Sequence, residues 1–210
     1  AKSDALLMAA AQYVDVSGYA ALLLRRSFPD LNQPDALIPR SKAWWTGKAH
    51  WNGQEHRWTF PSGATISFGY LEHEDDVYQY QGAAFQGIFV DELTQHTERN
   101  YLYLSSRLRK PSDGPLADVP LRLRGATNPG GKGHDWVKKR FIPSAFLSAD
   151  EDTQFSRQWY VADRFFVPAR LEDNPSLNIV EYDKKLAVLD PVTRAQLRKG
   201  DWKAHAGGRF

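Results

Sequence analysis

The residues Gly87-Ile88-Phe89-Val90-Asp91-Glu92 decide the fold class of this chain. A short apolar run that ends in polar residues is typical of a strand covered on both faces of a sheet, and a buried strand is predicted over Phe85–Val90. Ligands bind at the carboxyl edge of the strands in open α/β sheets. The carboxylates of Asp91 and Glu92 are therefore predicted to lie at a ligand-binding edge; the alternative is a strand end capped by solvated acids.

Helices and strands alternate on both sides of this strand. The other predicted elements are a helix from Ser3 to Val14, a strand from Tyr19 to Arg26, a loop or short helix from Pro29 to Pro39, a hairpin of His56–Phe60 and Ala64–Tyr70, a helix from Thr97 to about Lys110, a strand from Leu121 to Arg124, a strand from Phe155 to Phe166, a helix marked by Tyr182, Leu186 and Leu189, and a last helix from Asp190 to Gly200. This alternation predicts an α/β fold with a mostly parallel central sheet flanked by helices.

The composition excludes several classes of protein. The 210 residues are 42% hydrophobic and 13% aromatic, which is too apolar for a disordered chain. The absence of cysteine excludes disulfides, thiolate zinc sites and a cysteine nucleophile. The 27 Lys and Arg residues against 25 Asp and Glu residues give no overall basic field. No apolar run approaches the roughly 20 residues that a membrane-spanning helix needs, and a soluble protein with no membrane partner is expected.

The carboxylate pair fits nucleotide hydrolysis, in which the first acid holds Mg²⁺ and the second polarises the attacking water. A second segment, Lys2-Ser3 at the start of a helix, matches the last two positions of a phosphate-binding loop. In such a loop the lysine reaches the β- and γ-phosphates and the hydroxyl binds Mg²⁺. Ala1 stands where the last glycine of that loop is usual. The alternative for Lys2-Ser3 is an ordinary helix N-cap.

A third segment, Thr127-Asn128, follows the predicted strand Leu121–Arg124. At the same sheet edge as Asp91, a hydroxyl and an amide can sense whether a γ-phosphate is present. The alternative is a turn formed by the Pro and Gly residues that follow. The three segments together favour a nucleotide site more strongly than any one of them alone.

The tryptophans allow a further hypothesis, in which rings and cations form a stacking platform for single-stranded nucleic acid. The favoured alternative is a hairpin that packs its rings against the core. The residues concerned are Trp44, Trp45, Trp51 and Trp58 with Lys42, Lys48 and Arg57. The acidic group Glu72, Glu74, Asp75 and Asp76 is interpreted as a solvated loop.

Several segments, in this order along nearly the whole chain, resemble the large terminase subunit of tailed bacteriophages, the ATP-driven motor that packages DNA into proheads. The segments are Lys2-Ser3, residues 23–31, residues 81–85, residues 91–95, residues 106–109, residues 127–131, residues 134–137 and Gly200-Asp201-Trp202. The resemblance implies a P-loop NTPase fold of the type with an additional strand and a catalytic glutamate (ASCE).

The resemblance also implies roles for single residues. Lys2 and Ser3 resemble the end of Walker A, Asp91 and Glu92 resemble Walker B, and Thr127-Asn128 resembles the motif that couples hydrolysis to domain movement. Glu92 is then the catalytic base, and Ser3 and Asp91 hold Mg²⁺. Family members often have an arginine finger directly before the glycine that precedes Walker B, where this chain has Gln81 before Gly82. Arg107 is the preferred candidate for the finger and Arg25 the second.

The implied cofactors are ATP and Mg²⁺, and the implied partners are double-stranded DNA, the portal protein, the small terminase subunit and further copies in a ring, in the cytoplasm of the infected bacterium. Residues 1–210 are expected to be the ATPase domain, with a nucleotide-binding core over 1–170 and a C-terminal helical segment over 171–210. The chain is expected to be truncated at both ends, without the first Walker A strand and the nuclease domain, and to end in loop-like sequence. Two alternatives stay open: a catalytically silent fragment with an assembly or binding role, and a helicase-like P-loop ATPase.

Overall fold

The structure, a computed structural model, describes residues 2–175 and 177–204. It divides into two compact units, residues 1–127 and residues 128–210. This division falls well before residue 170, where the sequence analysis ends the nucleotide-binding core. Ala1, in the expected Walker A loop, and residues 205–210, in the expected C-terminal loop, lie outside the described residues.

The first unit contains a six-stranded sheet. Its strands are β1 (Ala20–Arg25), β2 (His50–Asn52), β3 (Arg57–Thr59), β4 (Thr65–Tyr70), β5 (Gly87–Asp91) and β6 (Arg122–Ala126). Their spatial order is β2-β3-β4-β1-β5-β6. Strands β4, β1, β5 and β6 are mutually parallel, and β2 and β3 extend the sheet antiparallel. The predicted α/β fold with a mostly parallel sheet is confirmed.

Four helices belong to the first unit: α1 (Lys2–Ala11), α2 (Phe28–Asn32), α3 (Leu37–Trp45) and α4 (Glu98–Ser105). Helix α1 packs against β1, β5, β6 and α3 and buries Leu6, Leu7, Ala9 and Ala10. Three-residue and seven-residue 3₁₀ turns lie at Leu93–Gln95 and Glu74–Tyr80. The strands β1 and β5 are buried through their central residues, and this sandwich of α1, α3 and the sheet is the core.

The second unit contains five short helices and one hairpin within the described residues. They are α5 (His134–Phe141), α6 (Ser144–Ser148), α7 (Glu151–Phe155), β7 (Trp159–Val161), β8 (Arg164–Phe166), α8 (Ile179–Leu186) and α9 (Pro191–Lys199). Aromatic side chains form its core, with Phe146 edge-on to Trp159 and Phe166 edge-on to Trp202. In the part of the chain that the structure describes, no helix is long and apolar enough to cross a membrane.

Three sequence predictions of secondary structure were wrong in detail. Residues 155–166 form the end of α7 and the β7–β8 hairpin rather than one strand. Helix α4 ends at Ser105 rather than near Lys110. Helix α3 begins inside the segment expected to be a loop or short helix and continues past Pro39 to Trp45. The last helix is confirmed, with Asp190 as its N-cap and Gly200 in the left-handed conformation at its end.

The tryptophans form part of the core, as the favoured interpretation predicted. Trp45 and Trp58 are buried, with Trp45 edge-on to Trp58 at 5.9 Å between ring centres. Trp51 is half-buried and packs on Trp58 at 5.1 Å. Because Trp45 and Trp58 are buried, the four rings do not form an exposed platform for single-stranded nucleic acid.

Candidate functional site

The candidate site lies at the carboxyl edge of the parallel strands, where the beginning of α1 meets the ends of β1, β5 and β6. The parallel register places Leu24 of β1 beside Val90 of β5, and Asp91 beside Ala126 of β6. The next residues along β1 and β6 are Arg25 and Thr127. The sheet therefore brings side chains from distant parts of the sequence to the same place.

Asp91 is the buried centre of the site, with 2% of its surface exposed. Its Oδ2 accepts a hydrogen bond from the Ser3 hydroxyl at 3.1 Å and lies 3.3 Å from Nε of Arg25. Its Oδ1 accepts a hydrogen bond from the backbone N–H of Glu92 at 3.2 Å. Burial raises the pKa of Asp91, and the positive charge of Arg25 is the main opposing influence. The carboxylate is thus held in a fixed orientation by two hydrogen bonds and one ion pair.

Glu92 leaves the strand in the left-handed backbone conformation, with φ of 52° and ψ of 51°. A non-glycine residue adopts this conformation at a cost of about 1–3 kcal/mol, and such residues concentrate at functional sites. Its side chain is half-buried. Burial raises the pKa of the Glu92 carboxyl, and the neighbouring charge of Asp91 raises it further. A carboxylate with a raised pKa is a stronger base, which suits proton abstraction near neutral pH.

Lys2 lies in the first turn of α1 and reaches across the site. Its Nζ donates a hydrogen bond to the backbone carbonyl of Thr127 at 2.8 Å. Burial lowers the pKa of the Lys2 ammonium, whereas the charges of Glu92 and Asp91 raise it. The lysine is therefore positioned between the Walker B-like acids and the residue that follows β6.

Thr127 also bonds to the turn that follows β5. Its hydroxyl lies 2.8 Å from the hydroxyl of Thr94 and accepts a hydrogen bond from the Thr94 backbone N–H at 3.2 Å. Sequence analysis did not single out Thr94. Its only signal was its position three residues after Asp91, in a segment that carries the family resemblance. Thr127 thus contacts both the N-terminal lysine and the turn beside Glu92.

The two candidate arginines have different positions. Arg25 lies in this chain's own site, where its Nη1 also donates to the backbone carbonyl of Asp30 at 2.6 Å. Arg107 follows α4, with its guanidinium 5.1 Å from the ring centre of Tyr103 and its carbonyl accepting from the N–H of Phe85. A finger that acts on a neighbouring copy need not reach its own site, so the role of Arg107 stays a prediction.

Asn128, the other half of the predicted coupling motif, is the first residue of the second unit. It is half-exposed. Farther along that unit, the Gly130 N–H donates to Nδ1 of His134 at 2.9 Å, and the His134 ring lies 5.4 Å from that of Trp202. His134 is therefore a buried structural residue of the second unit.

The Ser3 hydroxyl and the Asp91 carboxylate are oxygen donors of the kind that Mg²⁺ prefers, and they already touch each other. The described residues contain no group of three His, Asp or Glu side chains that could hold a metal by itself. This donor set fits a Mg²⁺ ion that completes its coordination with water and phosphate oxygens. The N–H groups at the beginning of α1, a ten-residue helix, suit an anion.

Comparison with known proteins points to one family. A family model described as "Terminase large subunit, T4likevirus-type, N-terminal" matches residues 34–210. No curated protein sequence matches significantly.

Among solved structures, the large terminase of a thermophilic bacteriophage in complex with ADP (crystal form 3) aligns with a TM-score of 0.65 at 14% identity, over 96% of this chain and 44% of that one. Crystal form 2 of the same phage protein aligns with a TM-score of 0.64 at 15% identity, over 96% of this chain and 44% of that one. A further structure in crystal form 3 aligns with a TM-score of 0.63 at 14% identity, over 96% of this chain and 43% of that one. The chain spans less than half of these proteins and shares the fold of the part that it covers, which confirms the predicted P-loop fold.

Proposed function

The chain belongs to the terminase large subunit family, T4likevirus type, through its N-terminal domain, and from this premise we propose that its site binds ATP with Mg²⁺ and hydrolyses it to drive DNA packaging. One observation carries the proposal. At the sheet edge Lys2 donates a hydrogen bond to the carbonyl of Thr127 and Ser3 donates one to Asp91, so that the start of α1 meets the ends of two strands that are distant from it in sequence. A phage terminase of similar fold was solved in complex with ADP, which supports a nucleotide as the ligand.

The side chains divide the chemistry of hydrolysis among them. The first N–H groups of α1 and the ammonium of Lys2 bind the phosphates. Ser3 and Asp91 hold Mg²⁺, which when bound neutralises charge on the β- and γ-phosphates. Glu92 orients the attacking water and accepts its proton as the water oxygen bonds to the γ-phosphorus, while the bond from that phosphorus to the β–γ bridging oxygen breaks and ADP leaves. Its raised pKa makes it a better proton acceptor than an exposed carboxylate.

The remaining roles follow from the family. Arg107 of a neighbouring copy stabilises the charge that develops on the transferred phosphoryl group, and copies of the chain form a ring. The hydrogen bonds of Thr127 to Lys2 and Thr94 let Thr127-Asn128 transmit the state of the site to the second unit. The motor moves double-stranded DNA into a prohead, with the portal protein and the small terminase subunit, in the host cytoplasm.

The test is Glu92→Gln in the protein expressed from its complete coding sequence. The amide keeps the size of the side chain and cannot accept the proton, so ATP turnover is expected to fall by about 10²–10⁴-fold. Calorimetry should show affinity for a non-hydrolysable ATP analogue close to that of the wild type. The control is Glu72→Gln, which alters an exposed carboxylate and should leave turnover unchanged. Wild-type turnover in Glu92→Gln would refute the role of the base, and no nucleotide binding by the wild type would refute the site.

A further inference from the structure

Arg25 is placed to control the metal-binding carboxylate. It is the last residue of β1, in parallel register with β5, so its backbone position is fixed by the sheet. Its side chain is 22% exposed, against 3% for that of Asp91. A partly exposed guanidinium is thus paired with an almost fully buried carboxylate.

The contact falls on the oxygen that a metal needs. Oδ2 of Asp91 lies 3.3 Å from Nε of Arg25 and 3.1 Å from the Ser3 hydroxyl, and Ser3 and Asp91 are the proposed Mg²⁺ ligands. Mg²⁺ binds oxygen at about 2.0–2.1 Å with near-octahedral geometry. The guanidinium of Arg25 is ion-paired with that oxygen at 3.3 Å, and a positive charge this close repels a second cation at the same oxygen.

We propose that Arg25 is the internal counter-ion of Asp91 in the nucleotide-free site and must leave its Oδ2 before Mg²⁺ can bind there. This inference rests on the proposed function, because it takes Asp91 as the Mg²⁺ ligand. Arg25 is a positioning residue in this scheme: its ion pair with Asp91 holds the buried carboxylate in place until metal and nucleotide arrive together. The hydrogen bond from Nη1 to the Asp30 carbonyl holds the guanidinium against α2 in the metal-free state.

The experiment measures the binding of fluorescent ADP and its dependence on Mg²⁺ concentration, in the protein expressed from its complete coding sequence. Arg25→Gln is expected to lower the half-saturating Mg²⁺ concentration by roughly tenfold, because the positive charge 3.3 Å from Oδ2 of Asp91 no longer competes with the metal. It should also lower the Tm of the metal-free protein, because Asp91 loses its counter-ion, and Mg²⁺ should restore more of that Tm than it adds to the wild type. Arg25→Lys keeps the charge, and its half-saturating Mg²⁺ concentration should lie between those of the wild type and Arg25→Gln.

Two controls separate the contact from a general charge effect. Arg26→Gln removes the same charge from the adjacent, exposed residue and should leave the Mg²⁺ dependence unchanged. In an Asp91→Asn background, Arg25→Gln should no longer change it. The inference would be overturned if Arg26→Gln also lowered the half-saturating Mg²⁺ concentration, or if Arg25→Gln raised it. Neither result would contradict the proposed nucleotide site. If the wild type binds no ADP with Mg²⁺, the proposed function itself fails and the inference with it.

Discussion

Gly125→Ala tests how the turn beside the site is held in place. Gly125 lies in β6 beside Val90 of β5. A Cβ atom at this position would lie 2.6 Å from Cδ2 of Leu93 and 3.2 Å from its Cβ and Cγ. Carbon atoms in favourable contact are about 3.5–4.0 Å apart. The absence of a side chain at Gly125 is therefore what allows Leu93 to pack on β6.

The size of the effect follows from the burial of Leu93. Only 3% of its surface is exposed, so its side chain has no open space into which to move. Overpacking of this kind costs about 1–3 kcal/mol of stability. In a chain of this size each kcal/mol lowers the Tm by about 2–4 °C. We therefore expect Gly125→Ala to lower the Tm of the nucleotide-free protein by about 2–12 °C.

The assay is thermal unfolding followed by circular dichroism, arranged as a double-mutant cycle with Leu93→Ala. Leu93→Ala alone is expected to cost about 2–5 kcal/mol through the cavity that it leaves. In that background the Cγ and Cδ2 atoms are gone and only the 3.2 Å contact with Cβ remains, so Gly125→Ala should cost clearly less than it does in the wild type. Gly53→Ala is the control, because its Cβ would meet only Nε1 of Trp51, at 3.6 Å. The reasoning is refuted if Gly125→Ala costs as much without Leu93 as with it.

Three further predictions concern single side chains. The pKa of Glu92 is raised above its ordinary 4.5, so the folded state binds the carboxyl proton of Glu92 more tightly than the unfolded chain does. Proton binding therefore adds folding stability that is fully present below pH 4.5 and is lost as the pH rises through the folded pKa. Glu92→Gln should therefore raise the Tm near neutral pH, and this gain should vanish on acidification; a gain independent of pH would contradict the cause given. Trp58→Phe removes the buried hydrogen bond from Nε1 to the Ser41 hydroxyl at 2.9 Å and should cost about 1–3 kcal/mol in urea unfolding, whereas an unchanged midpoint would show that the bond adds nothing. Thr94→Val removes the bond to Thr127 through its hydroxyl and should lower stability by about 1 kcal/mol in the same assay, with Thr94→Ser close to the wild type.

Much of the fold could be predicted because its signals are local. The apolar run of β5 and the caps of α9 each depend on residues that are neighbours in the sequence. Helix α3 was missed because Pro39 lies within it, yet Pro39 is in the first turn, where the missing N–H has no partner to lose. The β7–β8 hairpin was missed because its turn places Ala162 at a φ of 54°, a conformation that glycine or asparagine usually signals.

The site could be predicted in its residue types but not in its contacts. Lys2, Ser3, Asp91 and Thr127 each follow or begin a recognisable element, and parallel strands bring such ends to one edge. The ion pair of Arg25 with Asp91 depends on which strand lies beside β5 and in what register. Pairing of strands that are distant in sequence has no local signal, and for this reason Arg25 appeared only as a candidate finger.

The site contains residues on strands and residues on the turn after β5, and these two groups can move independently. The backbones of Asp91 and Arg25 belong to buried, hydrogen-bonded strands, so a shift of either backbone requires a shift of the sheet. Glu92 and Thr94 belong to a turn whose position depends on Leu93 packing on Gly125 and on the hydroxyl of Thr127. A change at Gly125 should therefore displace the base and the Thr94–Thr127 contact while Asp91 keeps its bonds to Ser3 and Arg25. Gly125→Ala is then expected to reduce ATP turnover more than it reduces the affinity for ADP with Mg²⁺, and an equal loss of both would show that the turn and the strands move as one body.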